Sequence, residues 1–236
     1  MNKKWIVITL GAVLLAALLA WLFIESTKPL PGEKVTYNCD SAIDFSKIDA
    51  ATAGDKCRLH IPEGSSVNYS TNPPTFGPHY PSWVTKGFYD EPRLDGNLVH
   101  SQEHGYIIIW YDCGRRVTGY PSTELRAGRL QRIVGTAYAQ SLNMTAGSQG
   151  SASAKLQDMP EAFRNGSCDN LKKNLKEVYQ KFGPHKLIVM PRPGMDFPVI
   201  LTAWGRMEKL SSVDKNKIKA FIDAFRDNGP EQTNEP

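Results

Sequence analysis

The chain has 236 residues, of which 41% are hydrophobic and 22% charged, with a net charge of +4. That is globular composition, long enough for one sizeable core, and it excludes a disordered or collagen-like chain. Lys and Arg are scattered rather than grouped, so the sequence carries no nucleic-acid footprint.

Residues 5–24, WIVITLGAVLLAALLAWLFI, contain no charge and one polar side chain, Thr9. Twenty helical residues at about 1.5 Å each cross a hydrocarbon core of about 30 Å. The apolar region of a cleaved signal peptide is shorter, at about 7–15 residues, so an uncleaved membrane anchor is expected over residues 1–24. Trp5 and Trp21 suit the two interfaces, and Lys3 and Lys4 favour a cytoplasmic N-terminus. The remainder would then lie outside the cytoplasm, in the periplasm or at the cell exterior. Residues 25–36 hold prolines and a glycine and read as a linker. Four cysteines, Cys39, Cys57, Cys113 and Cys168, form no C-x-x-C pair, so neither a zinc knuckle nor a thioredoxin-type redox motif is expected. An even number outside the cytoplasm points to two disulfides. Of the three pairings, closeness in sequence favours Cys39–Cys57 with Cys113–Cys168.

Residues 37–97 are rich in turn formers and read as long ordered loops with short strands. YIIIWY, 106–111, reads as a buried strand. A helix is expected within 121–142, and 144–154 is a small, polar surface stretch. From Cys168 to Phe182, apolar residues recur at helical spacing, with Ser167 as a cap and Gly183-Pro184 as a stop. KLIVM (186–190) and PVILTAW (198–204) are strands joined by a Pro-Arg-Pro-Gly turn. Ser211-Ser212-Val213-Asp214 resembles a capping box before a last helix that Gly229-Pro230 ends. Residues 231–236 are expected to fray. The fold class is therefore α+β: a small, mostly antiparallel sheet packed by C-terminal helices, preceded by one transmembrane helix, with the extracytoplasmic domain spanning 37–230. The last four elements are also similar to half of a thioredoxin-like fold, without its cysteines.

There are five histidines, and His100 and His104 lie four apart with Glu103 between. On one helical turn such side chains share a face and come within reach of one ion. H-x-x-E-H is also the spelling of inverted zinc peptidases, but Gly105 and the strand at Tyr106 leave room for only about one turn, or a tight loop, which argues against that reading. A third ligand is His79, which follows Gly77-Pro78 in a stretch stiffened by Pro73, Pro74 and Pro78. His60 is an alternative third ligand, and His185 is expected to be exposed.

The stretches NPPTFGPHY, GFYDEP, LVHSQEHGYIIIWYD and PVILTAWGR together resemble the domain of unknown function 3105 family, over roughly residues 56–112 and 168–230. Its pattern maps onto Asn72, Pro73, Pro74, Thr75, Gly77, Pro78 and His79, then His100, Glu103, His104 and Gly105, then Thr202, Ala203, Trp204 and Gly205. The resemblance implies an extracytoplasmic domain, often on one anchor, and brings no established reaction. The chain departs from the pattern at Phe76, where serine is usual, and in residues 113–167, which read as an insertion suited to a lid or a docking surface.

The expected site is a metal centre of His79, His100 and His104, with Glu103 as fourth ligand, orienting group or catalytic base. Three imidazoles suit zinc or copper better than calcium or magnesium. Met195 is a soft ligand if copper is bound, or packing if it is not. The structural alternative has the imidazoles capping the Gly105 turn, with Glu103 paired to a histidine or to Arg93. A membrane-tethered accessory subunit that docks on a membrane or envelope complex is the competing function.

Overall fold

The computed structural model describes residues 3–27, 29–44, 55–115 and 156–234. They form two compact units, Met1–Leu30 and Pro31–Pro236. The first is helix α1, Lys3–Ser26, whose described apolar side chains from Ile8 to Ile24 are largely exposed. Among the described residues, no helix is long and apolar enough to cross a membrane.

The second unit is built on a six-stranded sheet. In chain order it contains β1 (Glu33–Lys34), β2 (Gly87–Phe88), α2 (Asp95–Glu103), β3 (Ile107–Tyr111), α3 (Asp169–Phe182), β4 (Leu187–Pro191), β5 (Val199–Ala203), β6 (Arg206–Leu210) and α4 (Lys215–Phe225). The strand order is β1-β6-β5-β3-β4-β2. The class is α+β, and three of the five strand pairings are antiparallel; the sheet is nevertheless mixed, since β3 and β2 both run parallel to β4. The long connection through α3 is what permits β3 and β4 to pair in parallel.

Side chains alternate across the central strands. Ile107, Ile109 and Tyr111 pack with Leu187, Val189, Val199 and Leu201 beneath α3 and α4. Ile108 and Trp110 pack with Ile188, Met190, Ile200 and Met195 on the opposite face, where α2 contributes Leu98. Both faces are covered, so the strand sequence is an unbroken apolar run. Met195 is wholly buried in this second apolar layer, which fits the packing alternative. A third cluster, with Cys39, Leu59, Ile61, Val67 and Tyr80, holds the loops that precede α2.

Several local readings change. Helix α3 begins at Cys168 without a side-chain cap, and Ser167 Oγ instead donates to the Ala162 carbonyl. Helix α4 is capped by Asp214, which accepts from the backbone N–H groups of Asn216 and Lys217. Strand β6 has a half-exposed pattern, so its mixed composition gave no clear period. The helix expected within 121–142, the stretch 144–154 and most of the 113–167 segment lie outside the described residues. The disulfides are Cys39–Cys57 and Cys113–Cys168, as closeness in sequence favours.

Asp112 ends β3 in the second unit's interior. One carboxylate oxygen accepts from Gly114 N–H at 2.8 Å and the other from Met195 N–H at 3.0 Å. Burial pushes its pKa up to about 6 from an ordinary 3.8, against those two donors and Arg115. The folded state therefore holds this proton more tightly than the unfolded chain, and stability is lost as pH rises between these two values. Relative to Asp112→Asn, the wild type is expected to lose roughly 2 kcal/mol of unfolding free energy between pH 4 and 6. Urea melts of both proteins across that range check it; a constant difference would refute it.

Candidate metal site

Helix α2 carries the centre of the site. Its last turn buries His100, Ser101, Gln102 and Glu103 together, so even its polar face is covered. It runs for nine residues, longer than the single turn expected, and Asp95 at its start forms a two-point ion pair with Arg192 at 2.5 and 3.0 Å. His104 ends the helix, and Gly105, at φ +84°, turns the chain into β3.

The proline-rich loop docks onto this helix. Gln102 Nε2 donates to the Pro74 carbonyl at 3.1 Å, and Ser101 Oγ donates to Val84 O at 2.8 Å. Farther back, residues 59–61 pair with His79: His79 N–H donates to Leu59 O and Ile61 N–H to His79 O. The three segments bring His60, His79, His100 and Glu103 together, with one ligand atom from each lying within 4.8 Å of all the others. His100, His104 and Glu231 form a second such group, so His100 is common to both. His79, His100, His104 and Glu103 are buried, while His60 stands at the rim.

Backbone carbonyls fix the tautomers. His79 Nδ1 lies 2.8 Å from Gly77 O, and His100 Nδ1 lies 2.6 Å from Tyr80 O. A carbonyl only accepts, so both Nδ1 atoms carry protons, which leaves the Nε2 lone pair on the neutral His100 ring and turns His79 Nε2 toward Glu103. His79 Nε2 comes within 2.9 Å of Glu103 Oε2 without the alignment of a hydrogen bond. His100 Nε2 is 3.0 Å from His104 Nε2. At a Zn–N distance of about 2.0–2.1 Å, neighbouring ligands of a tetrahedral ion sit about 3.3 Å apart, so the first group needs to close by at most about 1.5 Å.

The electrostatics favour deprotonated ligands. Burial lowers the pKa of His100 to about 4 and also lowers that of His60, so the His100 ring is neutral near pH 7. For Glu103, burial pushes upward, but His79 and Arg58 outweigh it and hold the carboxylate at about 2. Arg58 Nε donates to Glu103 Oε1 at 2.5 Å, leaving Oε2 turned toward the imidazoles. Arg58 thus takes the place proposed for Arg93, which lies over the Tyr89 ring.

Aromatic rings wall the site. Trp204 meets the His79 ring edge-on at 5.9 Å, and Trp83, partly exposed, lies 5.5 Å from His100 and 4.9 Å from His104. His185 is set apart and pairs with Asp227 at 3.0 Å. Arg58, Trp83 and Glu231 had no motif to mark them. Glu231 falls in the segment expected to fray, yet its N–H donates to the Glu103 carbonyl at 3.1 Å, and Lys186 Nζ donates to both Thr233 O and His104 O.

The family described as "Protein of unknown function (DUF3105)" matches residues 60–145 and 162–236. The chain belongs to this DUF3105 family. No curated protein and no solved structure matches it. His60, His79, His100, Glu103, His104 and Glu231 all lie within the matched residues. The interruption, 146–161, is narrower than the insertion expected at 113–167.

Proposed function

We propose that this DUF3105 chain is a metal-binding protein whose domain stands outside the cytoplasm, tethered by a membrane-spanning segment at residues 5–24. Zinc or copper is held by His60, His79, His100 and Glu103, with His104 beside them. The observation that carries this reading is the pair of Nδ1–H donations to Gly77 O and Tyr80 O. Orienting one ring nitrogen through a carbonyl, so that the other is free to bind, is the usual outer support of metal-ligating histidines. Glu103 serves as a ligand rather than a base, since Arg58 holds one carboxylate oxygen while the other faces the imidazoles. The uncharged run at 5–24 and the two disulfides support the location.

The test is elemental analysis of the full chain, purified in mild detergent without added metal or chelator. About one equivalent of zinc or copper per chain is expected, lost on dialysis against a strong chelator and restored by the same ion. A folded wild-type protein that neither carries nor takes up either ion would refute the reading.

A further inference from the structure

The two ligand groups share a single atom. His100 Nδ1 is committed to the Tyr80 carbonyl, so Nε2 is the one lone pair this ring offers. One lone pair serves one ion at a time. The group His60, His79, His100 and Glu103 and the group His100, His104 and Glu231 therefore cannot both be filled through His100.

The groups differ in access. The inner one has the buried His79 and Glu103, the latter braced by Arg58. The outer one has the buried His104 but takes its carboxylate from Glu231, whose side chain is 44% exposed and whose Oε2 lies 3.6 Å from His104 Nε2. Trp83, 43% exposed, lies against the His100 and His104 rings at this edge. The His100 and His104 Nε2 atoms stand 3.0 Å apart, close enough for an ion that stays on His100 to gain His104 before it has left His79 and Glu103.

From this geometry we infer that one divalent ion has two alternative seats, an inner resting seat and an outer exchange seat at His104 and Glu231, joined by His100. The protein then takes up and hands over its ion at the Glu231 edge. This deepens the metal-site reading and rests on it: the function is metal transfer rather than hydrolysis. Exchange is associative, with one ligand made before another breaks, and no electron moves.

The probe is Zn²⁺ alone, with the full chain in detergent. Wild type is expected to bind one zinc. Glu231→Gln, which weakens only the outer seat, is expected to slow both release to a fluorescent chelator and uptake from buffer by about tenfold. His79→Gln, which spoils the inner seat, is expected to hold one zinc in the outer seat, roughly 100-fold more weakly and with faster release. Two zincs per wild-type chain, unchanged exchange rates in Glu231→Gln, or no binding by a folded His79→Gln would each overturn the two-seat inference while leaving a metal site standing. A wild type that binds no zinc or copper instead removes the metal-site reading itself.

Discussion

His100→Ala is expected to abolish stoichiometric metal binding, with at least a 100-fold loss of affinity, the largest functional effect of any single change. No other residue belongs to both ligand groups. Losing His60 leaves His79, His100 and Glu103 in the inner group, and losing His104 leaves that group whole. Losing His100 breaks both groups at once. Removal of an outer-shell partner typically costs 10–100-fold in affinity, and a ligand shared by two groups exceeds that. The variant also leaves the Tyr80 carbonyl without its buried donor, a cost of about 1–3 kcal/mol, so the melt must be recorded beside the metal content. His100→Gln limits the cavity and separates the two effects: it too should be metal-free, but nearer wild type in stability. His185→Ala is the control, since His185 pairs with Asp227 away from the ligand groups and its loss should leave metal content intact. A His100→Ala protein retaining one tightly bound ion would refute both the site and its centre.

Gly229→Ala is expected to be the most destabilising small substitution near the site, costing about 3 kcal/mol or more. A Cβ on Gly229 would lie 2.0 Å from Glu103 O, 2.3 Å from Gly105 N and 2.8 Å from Glu103 C. All three atoms are backbone, so no side chain can swing away to make room. The chain must separate where the tail crosses the end of α2, and that crossing also carries the hydrogen bond from Glu231 N–H to Glu103 O. Metal affinity should therefore fall together with stability. Gly183→Ala is the comparison: Gly183 has φ +78° and ψ 158° but nothing within 4 Å of an added Cβ, so it bears only the conformational cost of about 1–3 kcal/mol. Urea unfolding of the two variants decides the matter, and equal costs would show that the backbone crossing is not a tight contact.

The parts of this architecture visible in the sequence were those where one local signal sufficed. The apolar run of β3, the 3.6-residue period of α3 and α4, and the Gly183 stop all announced themselves. Strand β6, with Arg206 and Glu208 half-exposed and Lys209 exposed, did not, and helix α2 was cut short because its pattern is not amphipathic. It is buried all round by loops that no local period foretells. At the site, spacing singled out His100, Glu103 and His104, and proline stiffening singled out His79. His60 was only an alternative, because its place beside His79 depends on two loops pairing across nearly twenty residues. Arg58 and Glu231 reach the cluster by tertiary folding alone, from a turn and from the C-terminal segment.

The outermost strands, β1 and β2, are two residues each, against five in every inner strand. Flanks this brief offer a neighbouring chain almost no open ladder to extend, a common safeguard against fibril-like stacking. Encounters with a neighbouring chain would therefore be governed by side-chain recognition rather than by shared backbone pairing.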